Sequence, residues 1–258
     1  MSIPKNVMHF RKQRAQEIRR FADKLESYIG NGISVSLYKA VNQLNDENYI
    51  PPYRDEKGYE KIDSNFWGYS IENIELGITA DRHLKPRELI SAKASLSISI
   101  VSNYTDWEKI KDPFYELSFN VTIKGINPKS NDGAHYFGFH IDRHHESQAS
   151  EEIHPVYHLQ YNLNPRKDEN FDYGGTLNMD SPRFLHYPVD LILGLTFLIG
   201  NFQPENYQKL IEDREVKKII KEYQNSIWKP YYTVMANHWG GNGMAMEWDQ
   251  NVICPYLL

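Results

Sequence analysis

Seven of the ten histidines stand between Ala134 and Tyr187: His135, His140, His144, His145, His154, His158 and His186. Imidazole can exchange a proton near neutral pH and can ligate a transition metal through a neutral nitrogen. Two chemistries follow. The first is metal binding, for which His140, Asp142 and His158 offer two imidazoles and a carboxylate, a donor set that suits zinc, manganese or iron. The second is phosphodiester cleavage without a metal. There His140 and His158 would serve as base and acid, and Arg183 or Arg143 would stabilise the charge on phosphorus. The tandem His-x-Ser/Thr pattern of two-histidine phosphoesterases is absent, since the tripeptides are His140-Ile141-Asp142 and His158-Leu159-Gln160. A structural alternative stays open beside both, in which these histidines hydrogen-bond across a sheet or cap loops.

The elements that would position such a site are strands. Phe137, Phe139 and Ile141 alternate with Gly138, His140 and Asp142, and Tyr157, Leu159 and Tyr161 alternate with Val156, His158 and Gln160. Period-two alternation gives each strand one apolar and one polar face. If the two pair as a hairpin, His140 and Asp142 lie beside His158 and Gln160 on the polar face. His154 is harder to include, because four residues of extended chain cover roughly 13 Å. It reaches His158 only if Pro155 breaks the strand. His144 and His145 fall in the connecting loop and are expected to be solvated.

The rest of the chain supplies the support. Residues 8–29 carry an apolar stripe at helical spacing, followed by Gly30-Asn31-Gly32 as a stop. The same helix bears Arg11, Lys12, Arg14, Arg19, Arg20 and Lys24, either a solvated face or a phosphate-contacting patch. A short helix is expected over Ile33–Leu44 and a surface loop over Asn45–Ser64. From Phe66 the pattern turns β, with SLSISIV at Ser95–Val101 as its clearest strand and a longer one from Tyr115 to Ile123. Short linkers favour an antiparallel meander. Pro188–Phe202 reads as a helix buried nearly all round, with Asp190 in its first turn. Residues 205–228 read as one solvent-facing helix, and Tyr231–Leu258 as irregular. The expectation is a single α+β domain over 1–258: an antiparallel meander sheet packed on a buried apolar helix, with flanking helices.

Composition narrows the setting. A net charge of −5 gives no global attraction to nucleic acid or anionic membranes. The single cysteine, Cys254, excludes an internal disulfide framework and suits a reducing cytosol. Met1–Phe10 lacks an apolar leader, and the longest apolar run contains Asp190, so a cytoplasmic protein without membrane association is expected.

His154-Pro155-x-Tyr157-His158-Leu159, then Ser181-Pro182-Arg183 and His186-x-Pro188-x-Asp190 before an apolar helix, resembles uncharacterised bacterial domains of unknown function. Similar domains occur in phage-defence and toxin gene clusters, and the likeness spans about fifty residues from Ile153 to Gln203. The resemblance implies a bacterial defence or toxin component and identifies no reaction. Taken with the His/Asp/Arg cluster, the expectation is a site acting on nucleic acid or nucleotide phosphate, or a non-catalytic subunit that binds a protein partner from the same operon. In outline the order of elements also resembles the ubiquitin-conjugating fold. That family's cysteine has no counterpart between His154-Pro155 and the following helix, so the resemblance would leave only an inactive scaffold.

Overall fold

The computed structural model describes residues 2–30, 32–55, 57–79, 87–104, 112–129, 133–144, 154–162, 182–240 and 253–255. Two helices open the chain, α1 (Lys5–Tyr28) and α2 (Ile33–Asn45). The buried positions of α1 fall at Val7, Arg11, Ala15, Ile18, Ala22 and Leu25, a three-to-four spacing that makes one continuous stripe. Arg11 belongs to that stripe. Its guanidinium donates to the carbonyls of Gln43, Asp46 and Tyr49, so it caps the C-terminal end of α2 from within the core. Lys24 pairs with Asp213 at 2.8 Å and Arg14 with Glu17 at 2.8 Å. Much of the basic stretch is therefore spent on the fold. Only Lys12, Arg19 and Arg20 among its six members are exposed.

The expected loop after α2 contains a two-residue hairpin, β1 (Tyr53–Arg54) with β2 (Glu60–Lys61). Then comes the meander: β3 (Phe66–Gly77), β4 (Ser91–Asn103), β5 (Glu116–Ile126), β6 (Ala134–Arg143), β7 (Tyr157–Asn162) and β8 (Phe184–Leu185). All neighbours pair antiparallel in sequence order. The free edge of β3 is guarded by α2, whose Gln43 side chain accepts from Ser70 N–H and donates to Ser70 C=O, as a neighbouring strand would. The α+β architecture is the one expected. No helix among the described residues is long and apolar enough to cross a membrane.

Period two makes the sheet two-faced. One face carries Tyr69, Ile71, Ile98, Ile100, Leu117, Phe119, Val121, Phe139 and Ile141, all buried. Against it lies α3 (Leu191–Phe202), whose Gly194 comes so close that a Cβ there would stand 2.2 Å from the Phe119 ring. The helix starts later than its sequence suggests. Asp190 is the N-cap rather than a first-turn residue, accepting from Leu193 N at 2.9 Å. Complete burial pushes its carboxyl up to about 7.

That shift has a sign. A carboxyl whose folded pKa lies above its unfolded value takes up a proton on folding, so its ionisation erodes stability as pH rises from about 4 to 7. The cost at pH 7.5 is up to about 4 kcal/mol. Asp190→Asn keeps a capping oxygen without the charge. It should be at least as stable as the parent at pH 7.5, with its advantage shrinking toward pH 4 in denaturant melts. A variant less stable than the parent at pH 7.5 would contradict this reading.

The expected single helix over 205–228 is divided. α4 (Pro204–Glu212) ends at Asp213, which leaves the helical conformation to cap α5 (Arg214–Tyr223), accepting from Glu215 N and Val216 N. Its other oxygen accepts from Lys24 and Tyr28 on α1. A tertiary anchor thus overrides helix continuity. The tail expected to be irregular is helical through α6 (Lys229–Gly240), reached through a π-helical turn, Gln224–Trp228. Pro230 explains the turn, because it has no N–H to give to the carbonyl one α-turn back.

Candidate metal centre

The second face of the sheet is polar, and strand register decides who meets whom on it. Across the strands, one row runs Ser70, Ser99, Ser118, Asp142, His158, Leu185. The next row runs Ser97, Asn120, His140, Gln160. His140 and Asp142, two apart on β6, therefore point the same way, and His158 arrives beside Asp142 from β7. Donor atoms of His140, Asp142 and His158 all lie within 4.8 Å of one another. The Nε2 of His140 stands 3.7 Å from Oδ2 of Asp142. Two ligands of one zinc-like ion, each about 2.0–2.1 Å from it in tetrahedral geometry, are separated by about 3.4 Å. Rotamer adjustments of a few tenths of an ångström close the His140–Asp142 pair, and shifts of up to about 1.4 Å bring in the widest pair of the set.

Polar bookkeeping points the same way. Oδ1 of Asp142 and Nδ1 of His158 are both buried, and neither has a hydrogen-bond partner among the described residues. Burial raises the Asp142 carboxyl above its ordinary range, opposed by His140, the Phe119 backbone and Ser118. The His158 ring, 4 % exposed, is pushed down to about 3 by burial first, and then by His154, His140, Arg183 and His144. A half-buried carboxylate with one unmet, buried oxygen beside a neutral buried imidazole is an arrangement that a cation relieves. A ring held neutral suits the base role rather than the acid role in a two-histidine mechanism.

The structure brings in two histidines that the sequence reading set aside. β7 begins only at Tyr157, and Pro155 with Val156 turns the chain before it. The His154 ring therefore lies 4.5 Å from that of His158 instead of a strand's length away. His144 is half-buried rather than free in a loop. It stacks on His154 at 3.6 Å between ring centres, while its backbone N–H donates to Val156. The signal was the His-Pro dipeptide, which forbids the regular strand that would have separated the rings.

Other candidates fall elsewhere. Arg143 lies on the opposite, apolar face from His140, Asp142 and His158 and donates to Asp112, which also accepts from Tyr157, as a structural latch. His186 pairs through Nδ1 with Tyr187 C=O at 2.7 Å and packs on Phe197, with burial pushing its pKa down. His135 bonds Asn127 near the far end of β6. Arg183 is half-buried immediately before β8, the strand beside β7, and its charge is one of those keeping His158 neutral. His145 and Ser181 lie outside the described residues. Comparison of the chain with protein-family models, with curated proteins and with solved structures finds no match.

Proposed function

We propose that His140, Asp142 and His158 hold a divalent metal ion, and that the protein uses it to hydrolyse a phosphate ester in nucleic acid or a nucleotide. The observation that carries the reading is the convergence of two imidazoles and a carboxylate with two unmet buried polar atoms, Asp142 Oδ1 and His158 Nδ1. Three protein ligands leave coordination positions for water and substrate, which is the pattern of catalytic rather than structural sites. The ion would supply a Lewis acid and a water of lowered pKa. The chain's own contribution is positional. Sheet register fixes the three ligands, the stacked His154 and His144 shield His158 from water, and Arg183 presents a planar fork to the phosphoryl oxygens. Water oxygen would attack phosphorus, the ester P–O bond would break, and the leaving oxygen would take up the proton. On this proposal the protein works in the bacterial cytoplasm, in defence or as a toxin.

The test uses bis(p-nitrophenyl) phosphate and short single-stranded RNA and DNA, with zinc, manganese or iron(II) added to metal-stripped protein. Turnover should require one of these ions. Arg183→Lys keeps the charge and loses the fork, and should lower turnover by about tenfold or more while metal-induced stabilisation is retained. Parent-like turnover in that variant would remove Arg183 from the account.

A second reading has its own observation. At the sheet edge, Phe137, Tyr161 and Phe184 form an aromatic ladder with ring centres 5.6 Å and 6.1 Å apart, and the three are 43, 41 and 50 % exposed. Exposed aromatic clusters of this kind mark protein contacts. A partner-binding subunit of a defence complex would use this edge, the inactive ubiquitin-conjugating-like scaffold included, and Phe137→Glu would then abolish co-purification without touching metal binding.

A further inference from the structure

On the helical side of the molecule, away from the histidine-bearing face, α3, α4 and α5 enclose a half-open cleft of about 530 Å3. That volume is within the usual range for small-molecule sites. Four aromatic rings line it: Tyr187, Phe197, Tyr207 and Trp228. Their placement is built rather than accidental. Trp228 Nε1 donates to Pro188 C=O at 2.9 Å and its ring meets Tyr187 at 4.8 Å, edge to face. Tyr207 packs against α3 beside Gly200, where an added Cβ would meet the ring in ordinary contact at 3.4 Å. The π-helical turn that carries Trp228 and Gln224 aims both into the cleft, and such turns recur at functional sites.

Charge is one-sided at the mouth. Lys217 and Lys221 stand one turn apart on α5, both exposed, and neither makes an ion pair among the described residues. No carboxylate is found among the described residues lining the cleft. We propose that this cleft binds a flat aromatic anion, an aromatic carboxylate, sulfonate or phosphate. Its ring lies among the four aromatic side chains and its anionic group meets Lys217 and Lys221. Aromatic walls at edge-to-face distances favour a ring over an aliphatic chain, and two exposed ammonium groups with no ion pair among the described residues favour an anion over a neutral ligand. The proposal is independent of the metal centre.

The test titrates the full chain with 1-anilinonaphthalene-8-sulfonate, with neutral N-phenyl-1-naphthylamine and with laurate. Dye fluorescence and tryptophan quenching are the readouts. The sulfonate should bind at one saturable site. The double substitution Lys217→Glu, Lys221→Glu should weaken it about tenfold or more and leave the neutral dye within about twofold. Thr196→Trp, which fills the cleft, should abolish both. If Thr196→Trp disturbs the fold, the two exposed lysines still carry the test. Sulfonate binding indifferent to charge reversal, or laurate bound more tightly than the sulfonate, would overturn the proposal.

Discussion

Replacing Arg11 by leucine should destabilise the protein by about 3–5 kcal/mol, although arginine to leucine looks mild on a helix and the position sits in a basic run. The guanidinium is buried and feeds three carbonyl groups, those of Gln43, Asp46 and Tyr49, at 2.6–2.9 Å. Two of these belong to the end of α2, where backbone acceptors have no intrahelical donor. Leucine would satisfy none of them, and water has little access. Burial already works against the charge, lowering the Arg11 pKa, with the Asp46 charge opposing. The bond network is therefore what retains the residue. Arg11→Lys restores charge but one compact donor head, and should recover only part of the loss. Urea melts of both variants measure it. Parent-like stability in Arg11→Leu would mean the carbonyls find other donors.

The second large effect belongs to the metal centre. Asp142→Asn should abolish metal binding and any phosphoesterase turnover while leaving the metal-free protein folded. The variant removes the only carboxylate of the set and, in the absence of metal, removes a charge whose burial is unfavourable. His158→Gln should also lose the ion, with a different signature in acid. A histidine whose folded pKa is about 3, against 6.5 unfolded, is protonated preferentially in the unfolded chain. The parent therefore loses stability as pH falls from about 6.5 toward 3, and His158→Gln should lose less over the same window. Asp190 acts with the opposite sign over part of that range, so the comparison is made between variant and parent rather than on the parent's profile alone.

Much of this was legible in the sequence because period-two alternation is a strong signal. SLSISIV and the Phe137–Asp142 segment settled strand faces, and short linkers settled antiparallel order, so His140, Asp142 and His158 could be put together before register was known. What escaped was whatever depends on tertiary partners. Asp213 breaks a helix because Lys24 and Tyr28 hold it. Arg11 looks like surface charge until α2 is packed over it. His154 reaches His158 only because Pro155 breaks the strand, and the stack of His144 on His154 has no signal in a loop segment. The neutrality of His158 depends on burial and on four neighbouring basic groups, which no local pattern encodes.

The account rests on His140, Asp142 and His158 forming one metal site, and thermal melting of metal-stripped protein tests it directly. Zinc, manganese or iron(II) at about a hundredfold over its dissociation constant should stabilise the parent by about 2.7 kcal/mol. For a chain of this size that is a rise in Tm of roughly 5–10 °C. His140→Gln, Asp142→Asn and His158→Gln should each show no rise. If the parent's melting temperature is unmoved by all three ions, or if the variants rise as the parent does, the three residues do not form a metal centre.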